Sequence, residues 1–556
     1  MVDRLRWWRQ PAERPAAGGA RRRQGFGRGD RGGGSQIQRG GTLRISGATF
    51  GETLDPHRST AAAAAVFALI GNGAVRVAKN PAELEPVLVE KWEIPGDGSE
   101  IIMRARPGVK WHNRAPVNGR AFGAEDIAFN LMRIAGKLDP GRVGSYQRRS
   151  SLPYLDRVEA VDASTARVKL SAPHSGFMYG LATERNYFIP KELVDAQADA
   201  WNDPKTFVGT GAWMYDTFQK DVKATLKPNP DFWERGKPYL DGVEELPLGA
   251  DRLSWLSAFS QGNVDVMDNV NAAERDTLAK TFKAALPVSW SVASYDHLRF
   301  NVGRAPFTDP RVRRAVHLVI DYKDWNDAWY GKDAWDYTGP LAAAFAEAIQ
   351  SNDVAKLPGW NPATKEQDVK TARDLMAAAG FPNGNVSFKI MGWPSAGIPH
   401  RDNAIRAQDN LKRIWPAMDV TLDIPPDTGV ATKRSVDGDF DALTYGIYAL
   451  ADPVLDLEDE YGSKGSRNYG RLREEQFDQL LLKASTQLDN AARALTLKQA
   501  QDLLINTYMP MVTIAQRRTV TYFAPKIRGL ENMPRPMGGA QRDMQLATKD
   551  MWFEKK

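Results

Sequence analysis

Residues 297–321, HLRFNVGRAPFTDPRVRRAVHLVID, leave this chain little freedom. Leu298, Phe300 and Val302 alternate with polar residues, the pattern of a half-buried strand. Asp309 stands directly before Pro310, an N-cap followed by a residue suited to the first helical position. Val312, Ala315, Val316, Val319 and Ile320 then recur at helical spacing, so one helix face must pack inward. Strand, tight turn and amphipathic helix follow within 25 residues, which points to alternating α and β elements.

Other segments show the same alternation. Short β runs at Ile101–Arg106, Ala166–Leu170 and Val386–Met391 are interleaved with helical runs at Glu125–Ile134, Val369–Ala379 and Ala404–Ile414. After the last helix, Val420, Leu422 and Ile424 alternate again. This predicts mixed α/β lobes. At 556 residues the chain exceeds one usual core, so two or three lobes are expected. There is no cysteine, which excludes disulfides, zinc–cysteine sites and thiol nucleophiles. We find no apolar run long enough for a membrane-spanning helix.

The net charge of +6 is unevenly spread. Residues 1–40 hold ten arginines against Asp3, Glu13 and Asp30; the overall +6 less this +7 leaves −1 for the rest. The tail is rich in Gly, Arg and Pro and is expected to be disordered. Gly27, Gly29 and Gly32 satisfy a dinucleotide-type glycine spacing, but no strand precedes them and no helix follows. Arg31-Gly32-Gly33 is a single arginine–glycine copy without interleaved aromatics, so no nucleic-acid partner is expected.

The order of short motifs carries further. Gly41-Thr42-Leu43-Arg44, Leu54-Asp55-Pro56, Glu85-Pro86-Val87-Leu88 with Trp92 and Asp97-Gly98, and Arg106 to His112 with Ala124 to Ile127 come first. Gly209 to Trp213, Asn229 to Trp233, Lys237 to Gly242, Phe259 with Gly262 and Asp265-Val266, and Ala379-Gly380-Phe381 with Gly384 follow. Together with residues 297–321 they resemble the extracytoplasmic solute-binding proteins of peptide and nickel ABC importers, over roughly residues 40 to 530.

The resemblance implies a periplasmic binding protein-like α/β fold, with two lobes around a hinged cleft and an additional inserted lobe. We expect a tail at 1–40, lobe I at 41–70 with 205–292 and 515–556, an inserted lobe II at 71–204, and lobe III at 293–514. The crossovers are expected near Ser294–Asn301 and Pro510–Val520. An exported member should carry an apolar stretch of about 7–15 residues after its charged start. None follows Arg21-Arg22-Arg23, which suggests a misplaced start or a frame error upstream of Gly40, with a cytoplasmic variant as the alternative. A periplasmic or extracytoplasmic location is expected by resemblance.

Catalysis finds no support in the sequence. No G-x-S-x-G, H-E-x-x-H or Walker sequence occurs, and the six histidines have no metal-ligand spacing. The acidic run Asp456 to Glu460 starts like a calcium loop, but Tyr461 and Arg467 stand where glycine and glutamate are needed. Neither metal nor cofactor is expected. A sensor or enzyme on the same scaffold is the alternative, and a sensor should add a signalling domain for which the tail is too short.

Ligand-binding candidates follow from the resemblance. Thr60, Ala61 and Ala62 match a backbone-presenting segment of the first lobe. Tyr448, Ala449, Leu450 and Asp452 form the loop after a predicted strand. In the peptide-binding branch an aspartate in a similar loop pairs with the ligand ammonium; a turn aspartate before proline would give the same residue order. Trp393 could wall the cleft or pack beneath the loop. Arg401 is displaced from the position of a carboxylate-binding arginine in that branch. The expected partners are a small, most often peptide-like, solute and the importer's permease, with the protein a monomer. Nickel complexes, oligosaccharides and opine-like conjugates are the other ligand classes.

Overall fold

The computed structural model describes residues 37–46, 53–58, 62–78, 83–182, 186–249, 251–332, 334–343, 345–394, 399–449, 452–487, 489–532 and 547–554. The arginine-rich segment and its motifs before residue 37 lie outside the described residues. Among the described residues no helix is long and apolar enough to cross a membrane.

Three sheets organise the chain. The first is four-stranded, in the order Thr42–Ser46, Gly242–Leu246, Lys223–Pro228, Trp213–Gln219. The second, Val89–Glu93, Glu100–Ala105, Thr165–Leu170, Leu155–Ala160, is antiparallel and falls within the sequence gap of the first, so it is an insertion. The two share one apolar core that includes Leu43, Val243, Met103, Val168, Trp111 and Trp213.

The third sheet has seven strands. Its path is Val266–Met267, Met511–Phe523, Leu286–Phe300, Ala442–Tyr448, Ser387–Gly392 and Asp419–Asp423, with Trp335–Asp336 added to Met511–Phe523. The strands Ser387–Gly392 and Ala442–Tyr448 run parallel, so their carboxyl ends open on the same edge. The helix Pro310–Val319 starts as its sequence requires: Asp309 accepts from the Arg311 amide at 2.8 Å, with Pro310 at the first helical position. Its buried Val312, Ala315, Val316 and Val319 join Phe300, Phe388 and Ile390 in a separate core.

Two long strands, Leu286–Phe300 and Met511–Phe523, bridge the two bodies. Leu286 and Val288 pack against the core of the first two sheets, whereas Leu298 and Phe300 belong to the core of the third. Phe523 and Val512 divide in the same way on the partner strand. Their antiparallel ladder is interrupted between Ser291 and Tyr295 and again between Asp296 and His297. Such irregularities twist a strand pair and weaken it locally, as a bending point needs.

Several sequence motifs tie this frame together. Asp265 accepts from the Arg44 amide at 2.9 Å and pairs with its guanidinium at 3.1 Å, fixing the first strand. Buried His112 accepts from the Gly209 amide at Nδ1 (3.2 Å), and its Nε2 donates to the Gly211 carbonyl (3.1 Å). The Gly211 amide in turn donates to the Ile70 carbonyl at 2.8 Å. Gly209 must be glycine here, because a Cβ would sit 1.9 Å from the Ile70 oxygen.

That backbone approach generates a test. Gly209→Ala cannot be relieved by a side-chain rotation, and overpacking of this kind costs about 1–3 kcal/mol or more. Gly144→Ala, with nothing within 4 Å of its Cβ, is the control. Thermal unfolding should show a loss of several degrees for Gly209→Ala and almost none for the control; equal melting temperatures would refute the packing.

Candidate functional site

Ligand sites in open α/β sheets form at the carboxyl ends of parallel strands. Here two loops leave that edge. One carries Trp393 towards the helix His400–Ile414; the other carries Ala449 towards Asp452 and the helix Pro453–Tyr461. Between them runs the bent part of Leu286–Phe300, where Ser294, Asp296, His297 and Arg299 are all buried.

This strand forms a polar floor. Asp296 accepts from the Tyr330 hydroxyl, and its Oδ1 lies 3.3 Å from Arg517 Nε and 3.5 Å from His400 Nδ1. Arg517 also donates to Ser294 Oγ at 2.7 Å. Gly446 makes room for this group: a Cβ there would lie 2.6 Å from the Arg517 guanidinium and 2.7 Å from the His400 ring. Burial raises the Asp296 carboxyl despite Arg517 beside it. Burial, with Arg517 nearby, holds His400 well below its ordinary value; burial and then Arg299 do the same for His297. Both shifts favour the neutral imidazole.

Aromatic rings adjoin the floor. Tyr445 lies 4.8 Å from Trp393 and meets His297 edge-on at 5.7 Å, centroid to centroid. Its hydroxyl accepts from Arg467 at 2.7 Å. Arg467 and Arg299 both hold Glu460, at 2.8 and 2.7 Å, with all three side chains at most 2% exposed.

The inserted body also makes contact near the helix Pro453–Tyr461. Ser150 donates to Asp459, Ser466 donates to the Gln147 carbonyl at 2.9 Å, and Arg148 lies 3.8 Å from Asp459. His174 Nε2 approaches Glu458 at 3.3 Å, and the Ser175 amide donates to the Ser485 carbonyl at 3.1 Å. The insertion thus meets the third-sheet body along the helix Pro453–Tyr461, where these polar contacts surround the buried Leu455 packed against Gly176 and Gly180.

The sequence-predicted residues distribute as follows. Trp393 and Ala449 are buried at this edge, and the Ala449 amide donates to the Ala293 carbonyl at 2.7 Å. Tyr448 pairs with Ser294 in the ladder. Asp452 caps the helix: its Oδ1 accepts from Val454 and Leu455 amides at 2.9 and 3.2 Å, while its Oδ2 accepts from Arg493. Arg401 is exposed at the start of its helix, where its neighbour His400 is the residue that faces the floor. Ala62 begins the helix Ala62–Ile70, whereas Thr60, Ala61 and Leu450 lie outside the described residues. Asp296, His297 and Arg517 were not named as site residues by sequence reasoning, and Glu460 and Arg467 entered it only in the calcium-loop comparison. Among the described residues no group of three acidic or histidine side chains could hold a metal ion.

Comparison with known proteins gives this edge its context. The profile of the bacterial extracellular solute-binding proteins, family 5, matches residues 83–468. The chain belongs to this family. Heme-binding protein A of Haemophilus influenzae is 26% identical over 490 residues, covering 83% of this chain and 84% of that protein. The dipeptide-binding protein of Escherichia coli is 25% identical over 466 residues, with 80% and 83% covered. The periplasmic binding protein DppA of Helicobacter pylori, solved with peptide STSA, superposes with a TM-score of 0.80 at 24% identity, covering 93% of this chain and 99% of that one. The fold is therefore that of the periplasmic binding proteins, as the ordered motifs imply.

The buried imidazoles set a pH dependence. Burial lowers His57 to about 3 and His112 to about 4, and holds His297, His317 and His400 well below 6.5. The unfolded chain protonates these groups near 6.5, and the folded one does not. Their contribution is present above that value and is lost as pH falls through it, at about 1.4 kcal/mol per unit for each histidine. Burial pushes Glu245 up to about 7 from 4.5, and Asp268 and Asp296 upward as well, which acts in the opposite sense. Five imidazoles against three carboxyls leave a net loss. The melting temperature of this solute-binding protein should fall from pH 7 to pH 5; a constant or rising value would contradict the assignment.

Proposed function

We propose that the protein is the substrate-binding component of an ABC importer that captures a peptide or peptide-like small solute between its bodies and delivers it to a membrane permease. The observation that carries this reading is the aromatic-lined polar floor on the bridging strand, beside the carboxyl edge of two parallel strands. A cleft of this kind binds by burying the solute, with a few polar groups fixing its orientation. Trp393, Ala449 and the backbone of Tyr448 wall it in this reading, and Thr60, Ala61, Ala62 and Leu450 stay ligand-binding candidates by resemblance. The dipeptide-binding relative in Escherichia coli and the peptide complex of Helicobacter pylori DppA support the ligand class.

Binding needs no covalent step, so the protein acts as a carrier and not as an enzyme. A monomer suffices, because both walls come from one chain. The location follows the family and is extracytoplasmic.

Mass spectrometry of solute carried through native purification tests the ligand class, followed by titration of the identified compound. We expect a peptide-like solute at one per chain. At a hundredfold excess over Kd it should stabilise the fold by about 2.7 kcal/mol. Recovery of only an amide-free compound, such as an oligosaccharide, would contradict the reading.

A further inference from the structure

One face of the third sheet packs on a helix-covered core that holds Leu298, Phe300, Ile390 and Ala442. Met391, Trp393, Leu443 and Tyr445 cluster on the opposite face. His297 stands directly across the ladder from Tyr445, and cross-strand partners share a face. The two rings meet edge-on at 5.7 Å, and Trp393 lies 4.8 Å from Tyr445 on its other side. His297 is thus placed beside the carboxyl edge of the parallel strands, where the bridging ladder is irregular.

The imidazole is fully buried, and neither Nδ1 nor Nε2 has a hydrogen-bond partner within the chain. The polar groups around it are engaged elsewhere. The Tyr445 hydroxyl accepts from Arg467, the Tyr295 hydroxyl donates to the Pro340 carbonyl at 2.6 Å, and Glu460 holds both Arg299 and Arg467. A donor and an acceptor buried unmet are costly, so this ring calls for a partner from outside the chain. Burial first, then Arg299, His400 and Arg467, keep it in the neutral form, with one N–H and one lone pair. That pairing suits an uncharged polar unit, which needs no counter-charge when it is buried.

Resting on the peptide-like reading above, we infer that His297 is a solute-binding residue, one of whose ring nitrogens donates to an amide carbonyl of the captured solute. The ring is already stripped of solvent and held between Tyr445 and Tyr295, so little is lost in ordering or drying it when the bond forms. The unliganded fold carries the cost of the unmet imidazole, and the solute relieves it. The position of His297 at the ladder irregularity also sets the solute against the bridging strand that both bodies share.

The test uses the full chain, the variants His297→Phe and His297→Leu, and a dipeptide library as the probe. Phe keeps an aromatic edge against Tyr445, Leu is closer to imidazole in volume, and neither side chain can hydrogen-bond. Without solute, at least one variant should melt above wild type, because the unmet polar group is gone. Library members that bind wild type, found by thermal shift and measured by calorimetry, should bind both variants roughly tenfold or more weakly, the loss expected for one buried hydrogen bond. Stability and affinity would then move in opposite directions, which a purely structural histidine does not produce. Both variants melting below wild type, or failing to fold, would mean that the imidazole is bonded within the fold and would overturn the inference. Affinities within about threefold of wild type would assign the ring nitrogens to water and overturn it too, with the peptide reading intact. Binding of no library member to wild type would overturn the peptide reading and the inference that rests on it.

Discussion

Arg299, Glu460 and Arg467 impose the constraint from which the site follows. All three are buried, and a charge in such surroundings is tolerable only when it is paired and hydrogen-bonded. Glu460 lies between the two guanidiniums, and Arg299 also donates to the Arg467 carbonyl at 2.7 Å. The arrangement fastens the helix Pro453–Tyr461 to the bridging strand Leu286–Phe300. With that helix fixed, Glu458 and Asp459 are presented to the inserted body and Asp452 to Arg493. Losing one partner would leave an uncompensated buried charge, a cost on the order of 3–5 kcal/mol, and would release the wall of the cleft along with it.

The bridging strands connect this anchor to motion. They cross from one core to the other, and their ladder is irregular where they do so. Bending there would move two well-packed bodies as units without unpacking either, which is what a hinge requires. The contacts across the seam are a few hydrogen bonds, each worth about 0.5–1.5 kcal/mol net, one wide ion pair, and the packing of Leu455 against Gly176 and Gly180. A seam this modest leaves the open and closed states close enough in free energy for a bound solute to shift their populations. An apolar seam of the same extent would hold the protein shut with or without a ligand.

The sequence revealed the fold through local signals. Strand alternation, the Asp309–Pro310 start and the helical periodicities each concern neighbours a few residues apart, and the elements lie within a few residues of where they were expected. The site was harder to read because its partners are distant in the chain. Arg299 meets Glu460 across 161 residues, and Arg517 meets Ser294 across 223. His297 and His400 look scattered in the sequence, yet the antiparallel pairing of Leu286–Phe300 with Ala442–Tyr448 brings both to Tyr445. Asp452 shows the limit most clearly. Its sequence context fits a ligand partner and a helix cap equally well, and its surroundings depend on Arg493, 41 residues further on.

The account stands on closure of two bodies about the bridging strands, and small-angle scattering with and without the purified natural solute tests it most directly. The radius of gyration should fall on saturation, with scattering profiles at intermediate ligand concentrations fitting a two-state mixture of open and closed forms. Tight binding with an unchanged radius of gyration would contradict the account, because the cleft would then be a fixed pocket and the irregular strand pair no hinge.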